Sequence, residues 1–123
     1  IVEDEQALAN YYALALQAVG YQVTVVPNGV EALQVFQAHP DQFDVVFTDQ
    51  SMPYMTGAQL SQELLRLKPD LPIILATGYS DTLSENEAKA IGIRHFLMKP
   101  IKMPVLTQMI RELFATKPRR HEE

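Results

Sequence analysis

The 123 residues fit one domain, and a hydrophobic fraction of 47% with 20% charged residues suits a globular chain that buries roughly two-thirds of its unfolded surface. The absence of cysteine excludes a disulfide framework, a thiolate metal site and a cysteine nucleophile, and it fits a reducing compartment. A net charge of −5 argues against direct nucleic-acid binding, which needs a basic patch.

Ile1-Val2 is apolar but too short for a whole buried strand, so the chain is expected to begin inside its first strand, as a domain cut from a longer protein. Leu8, Tyr12, Ala15, Leu16 and Val19 then recur on one face of a predicted helix. Val23–Val26 reads as a second strand, and Asn28-Gly29 opens a second helix with the stripe Ala32, Leu33 and Phe36, Asn28 serving as its N-cap. A third strand is predicted over Phe43–Phe47. The helix that follows carries Leu60, Leu64 and Leu67 and is closed by Pro69. Pro72–Ala76 is the fourth strand, and a polar, weakly patterned helix around Leu83–Ile91 ends at Gly92. His95–Met98 is the fifth strand. A last helix carries Leu106, Met109, Ile110, Leu113 and Phe114, with Pro104 in its first turn, where a missing N–H costs nothing.

Strands that alternate with helices predict an α/β fold: a doubly wound, five-stranded parallel sheet between two helical layers. The strands are near-continuous apolar runs, as burial on both faces requires. Residues 1–116 are expected to form this domain. Residues 117–123, with the basic cluster Lys117-Pro118-Arg119-Arg120, read as a polar tail or linker. No apolar run approaches the ~18 residues of a membrane span, and no signal peptide is visible. The expected location is therefore cytoplasmic, without membrane contact by this domain; any anchor would belong to a longer parent chain.

Function is written where the strands stop. The first runs into Glu3-Asp4, the third into Thr48-Asp49, the fourth into Thr77 and the fifth into Lys99, whereas the second ends in Pro27-Asn28. In open parallel sheets the ligand site lies beyond the carboxyl ends of the strands, at a switch point in strand order. An order of 2-1-3-4-5 leaves the second strand peripheral and brings the other four ends together. Glu3, Asp4 and Asp49 would then repel one another unless a positive charge joins them. A hard divalent cation with oxygen ligands resolves that conflict, and Mg²⁺ suits a few carboxylates plus water. A carboxylate beside such a cation, a lysine and a hydroxyl can act as a nucleophile toward a phosphoryl group.

Val2-Glu3-Asp4-Glu5, the run from Asp49 to Gly57, Ala76-Thr77-Gly78-Tyr79 and Met98-Lys99-Pro100 together resemble the receiver domain of two-component response regulators, a flavodoxin-like three-layer fold. The resemblance implies that Asp49 is the phosphoacceptor, charged by a phosphohistidine on a histidine kinase or a histidine phosphotransfer domain. It implies Mg²⁺ (or Mn²⁺) held by Asp4, Asp49 and the backbone carbonyl of Ser51, with Glu3 acting through water. Thr77 and Lys99 would contact the phosphoryl oxygens, and Phe96 would be a switch aromatic. Lys99-Pro100 would be a cis peptide, and Met52, Pro53 and Gly57 would shape the loop after the third strand. Ser51 and Tyr79 stand where the family tunes the lifetime of the phosphoryl group. The sequence leaves open whether the domain self-associates through the fourth helix, fifth strand and fifth helix. The runs Ile73–Asp81 and Phe96–Ile101 are similar to receivers at the C-terminus of hybrid sensor histidine kinases.

Other readings remain open from the residues. A stand-alone or DNA-binding regulator would share the same receiver, and a non-phosphorylated pseudo-receiver would have no need of Asp4, Asp49, Thr77 and Lys99 together. A flavodoxin-like cofactor binder shares the fold, but Glu3-Asp4-Glu5 would repel the phosphate that its first loop must cradle. An aspartyl phosphatase wants an acid two residues after its nucleophile, where Ser51 stands.

Overall fold

The computed structural model describes residues 1–115; the predicted tail at 117–123 lies outside the described residues. Five α-helices alternate with apolar segments: α1 (Gln6–Ala18), α2 (Gly29–Ala38), β1 (Val46–Asp49), α3 (Gly57–Leu67), β2 (Ile73–Thr77), α4 (Glu85–Ile91), β3 (His95–Met98) and α5 (Met103–Ala115). The three strands form a parallel sheet in the order β1-β2-β3, with Val46 opposite Ile73 and Ile74 opposite His95.

The first two predicted strands are shorter than expected. Each contributes only one bridged residue: Val2 pairs in parallel with Val26 on one side and with Thr48 on the other. The Val2 N–H donates to the Phe47 carbonyl at 2.9 Å, and the Asp49 N–H donates back to the Val2 carbonyl at 3.2 Å. Val26 donates to Ile1 at 2.9 Å, and Glu3 donates to Val26 at 3.1 Å. Ile1-Val2 offers two residues to its neighbours, and the Val23–Val26 segment is peripheral, with Val25 exposed. The order of the five segments is nevertheless 2-1-3-4-5, and the fold is the doubly wound one.

Alternation along β2 assigns the layers, since successive side chains point to opposite faces. Ile73 packs with Val2, Phe36, Leu60 and Leu64, and Leu75 packs with Ala88 and Ile93, so α2, α3 and α4 cover one face. Ile74 and Ala76 pack with Tyr12, Leu16, Leu106 and Ile110, so α1 and α5 cover the other. Burying a Leu or Ile side chain of this kind stabilises by about 2 kcal/mol, and β2 is buried along its whole length.

Local chemistry sets the helix ends. The Asn28 side chain accepts from the Glu31 N–H, and reciprocal capping boxes join Thr56 to Gln59 and Ser84 to Glu87. Gly92 ends α4 at φ 113°, in the left-handed region. Leu60 and Leu64 are buried as the stripe predicts, but Leu67 lies in the last turn of α3 and is 49% exposed.

Candidate functional site

Strand ends carry the site. Asp49 is the last residue of β1, Thr77 the last of β2, Lys99 follows β3, and Glu3-Asp4 follow the bridged Val2. Because Val2 pairs with Thr48 in parallel, Glu3 and Asp49 leave the sheet at the same edge. One carboxylate oxygen each from Glu3, Asp4 and Asp49 lies within 4.8 Å of the other two. Glu3 and Asp49 are both 5% exposed, whereas Asp4 is open to solvent. Lys99 Nζ lies 2.8 Å from Asp49 Oδ1. That contact is an ion pair between a half-buried ammonium and a buried carboxylate oxygen.

Desolvation dominates the electrostatics. Burial raises the Glu3 carboxyl to about 7; the Glu5 N–H, which donates to Glu3 Oε2 at 3.1 Å, opposes the shift, and the Asp49 charge adds to it. Burial also raises Asp49, against the pull of Lys99. For Lys99, burial disfavours the charged form, but the Asp49 carboxylate more than offsets this and the ammonium is held above its ordinary value. Beneath the acids, burial and then the Glu3 charge push the Tyr12 phenol up to about 12, so it stays neutral. Two buried carboxylates and an exposed one, with a single ammonium among them, leave negative charge uncompensated. A hard divalent cation fits this oxygen donor set.

The supporting loops are tightly made. The Gln50 N–H donates to the Ala76 carbonyl at 2.9 Å, the Gly57 N–H returns to the Gln50 carbonyl at 3.0 Å, and Gln50 Oε1 accepts from the Ala58 N–H at 2.8 Å. A Cβ on Gly57 would stand 2.3 Å from the Asp49 carbonyl and 2.6 Å from a Leu75 methyl, so only glycine lets α3 start this close to β1. Tyr54 takes φ 72° with its side chain 84% exposed. The Thr77 hydroxyl is buried and donates to Met98 Sδ at 3.2 Å. The Lys99 N–H donates to the Thr77 carbonyl at 2.7 Å, and the Lys99-Pro100 peptide is cis. Ser51 stands at the mouth, where its hydroxyl donates to Asp81. Phe96 is half-buried against Leu75, Ala88 and Ile93, under α4 rather than at the carboxylates.

Two contributors were not singled out from the sequence. Gln50 bridges β1 to α3 through its side chain, and nothing in its local pattern marks it. Asp81 ties the loop after β2 to Ser51, and its spacing of three residues from Gly78 is the local signal that points to it.

A doubly wound sheet whose carboxyl edge gathers acids, a lysine and a threonine defines a phosphoacceptor class of signalling domain. A family model described as "Response regulator receiver domain" matches residues 1–111, and the chain belongs to that family. It is 34% identical over 113 residues to the sensor kinase CckA of Brucella abortus, covering 92% of this chain and 12% of that protein. It is 31% identical over 113 residues to the probable transcriptional regulator ycf27 of Cyanidium caldarium, covering 92% of this chain and 44% of that one. The fold superposes on a response regulator receiver domain protein of Clostridium thermocellum with a TM-score of 0.87 and 25% identity, covering 93% and 90% of the two chains. The chain thus spans less than half the length of either curated relative. It is a receiver domain of two-component phosphorelay signalling, a class that works with histidine kinases or phosphotransfer domains. Among the described residues no helix is long and apolar enough to cross a membrane.

Proposed function

We propose that Asp49 accepts a phosphoryl group from a phosphohistidine, in a reaction that depends on Mg²⁺ or Mn²⁺. The observation that carries this reading is the 5%-exposed Asp49 carboxylate, 2.8 Å from Lys99 Nζ and grouped with two further acids at the sheet edge. An Asp49 carboxylate oxygen forms the new O–P bond while the P–N bond to the imidazole breaks and its nitrogen keeps the electron pair. Asp4, Asp49 and the Ser51 backbone carbonyl would hold the cation, with Glu3 contributing through water. When bound, the cation neutralises charge on the phosphoryl oxygens and aligns them for in-line transfer. Lys99 stabilises the same developing charge from the other side, and Thr77 exchanges its bond to Met98 for one to a phosphoryl oxygen. Phe96, on the strand that ends in Met98 and Lys99, would follow that movement as the switch aromatic.

The partner in this reading is a histidine kinase or histidine phosphotransfer domain in the cytoplasm. A parent hybrid sensor kinase is favoured by the likeness to CckA, and a stand-alone regulator by the likeness to ycf27. Self-association would use α4, β3 and α5. With Mg²⁺ and a small acyl phosphate, the chain should acquire a hydroxylamine-labile phosphoryl group, and Asp49→Asn should abolish it. Labelling that survives this substitution overturns the assignment.

A further inference from the structure

Asp81 lies on the loop between β2 and α4, four residues beyond Thr77. Its Oδ2 accepts from the Gly78 N–H at 2.7 Å, its own N–H donates to the Gly78 carbonyl at 3.1 Å, and its Oδ1 accepts from the Ser51 hydroxyl. A single carboxylate therefore joins the loop after β1 to the loop after β2, at the mouth of the site. Its neighbour across Gly78 is Lys99: a Cβ placed on Gly78 would be 3.9 Å from Asp81 Oδ2 and 4.0 Å from Lys99 Cδ. The Asp81 charge also acts on Asp49 and Lys99, after their own burial and their mutual pairing.

Phosphorylation turns the Asp49 carboxylate into an acyl phosphate that carries about −1.5 to −2 charge in place of −1 and presents three strong acceptor oxygens. It needs N–H and O–H donors, and it repels nearby carboxylates. The Gly78 N–H and the Ser51 hydroxyl flank the strand ends that carry Thr77 and Asp49, and Asp81 occupies both. We propose that Asp81 is a positioning residue: its carboxylate holds the Ser51 and Gly78 donors while Asp49 is unmodified and yields them when Asp49 is phosphorylated, so that it limits both phosphoryl uptake and phosphoryl lifetime. The proposal rests on Asp49 being the acceptor. The exchange makes and breaks hydrogen bonds only. Repulsion between the two anions releases Asp81, and the freed donors turn to the phosphoryl oxygens. The loop that is loosened runs directly into Ser84, the N-cap of α4, so release at the site is felt at that helix.

The test compares the wild type, Asp81→Asn and Asp81→Ala for labelling rate and phosphoryl half-life with a small acyl phosphate and Mg²⁺, with Asp49→Asn as the blank and circular dichroism as the check on folding. Asp81→Ala should take up the group roughly three- to tenfold faster, as expected for removing one partly screened charge, and should keep it longer. Asp81→Asn keeps an acceptor but loses the charge, and it should fall between the two. The difference in uptake rate should shrink as salt is added. A folded Asp81→Ala protein that labels and decays at the wild-type rates, or labels more slowly, overturns the proposal. A wild type that does not label at all overturns the phosphoacceptor reading itself, and this proposal with it.

Discussion

Two glycines flank the site and are held in opposite ways. Gly57 opens α3 pressed against the Asp49 carbonyl, where a Cβ would stand 2.3 Å from backbone; a Cβ on Gly78 would meet only two side-chain atoms, at 3.9 and 4.0 Å. The loop after β1 is held by backbone contact and by the Gln50 bridges. Hydrogen bonds to one aspartate fasten the loop after β2. Asp49 thus sits on the steric side, and the looser surroundings lie on the side of Thr77, Gly78 and Asp81. If Asp49 is the acceptor, as proposed, the domain has to hold it still and yet report its modification, which calls for both kinds of neighbour.

The largest effect should come from breaking the steric side. Gly57→Ala should cost about 3 kcal/mol in denaturant unfolding and displace Asp49 enough to lose labelling, whereas Gly78→Ala should stay within about 0.5 kcal/mol. Equal costs for the two substitutions would erase the contrast.

A smaller effect should follow pH at Glu3. Its carboxyl is raised from 4.5 to about 7 by burial first, so the folded state favours the proton. The Glu3 contribution to stability is therefore fully present below pH 4.5 and lost as pH rises through 7. In metal-free buffer the wild type should lose roughly 5 °C of melting temperature relative to Glu3→Gln between pH 5 and pH 8.5. Added Mg²⁺ should stabilise the wild type more at pH 8.5 than at pH 5, because its ligands must be deprotonated. Parallel melting profiles for the two proteins would show that Glu3 carries no such strain.

The smallest effect concerns Tyr54, which sits at φ 72° with an exposed ring. Tyr54→Gly should stabilise the chain by about 1 kcal/mol, because it relieves the left-handed conformation without loss of packing. Destabilisation in the same unfolding assay would mean that the ring has a role that its exposure conceals.

The same contrast separates what was legible in the sequence from what was not. Helix stripes such as Leu60-Leu64, the caps at Asn28 and Gly92, and the polar residues at the strand ends follow from periodicity and turn chemistry, which act within a few residues. The edge where Glu3, Asp4, Asp49, Thr77 and Lys99 meet was readable because parallel strands deliver their ends to one side. The shortening of the first two strands to single bridges was not readable, since apolar composition does not say how many residues will find partners. The Gln50 bridge and the Ser51 to Asp81 bond span 8 and 30 residues and depend on loop paths that leave no periodic trace. Phe96 was placed on the right strand, and its packing under α4 is a matter of tertiary contact.

If the proposed function is right, Asp49 and no neighbouring acid forms the bond to phosphorus. Mass spectrometry on the chain treated with a small acyl phosphate and Mg²⁺, then reduced with borohydride and digested, reads this directly. The reduced residue should fall at Asp49, and it should disappear when the cation is chelated. Modification at Glu3, Asp4 or Asp81 instead, or at Asp49 in undiminished yield without a divalent cation, would contradict it.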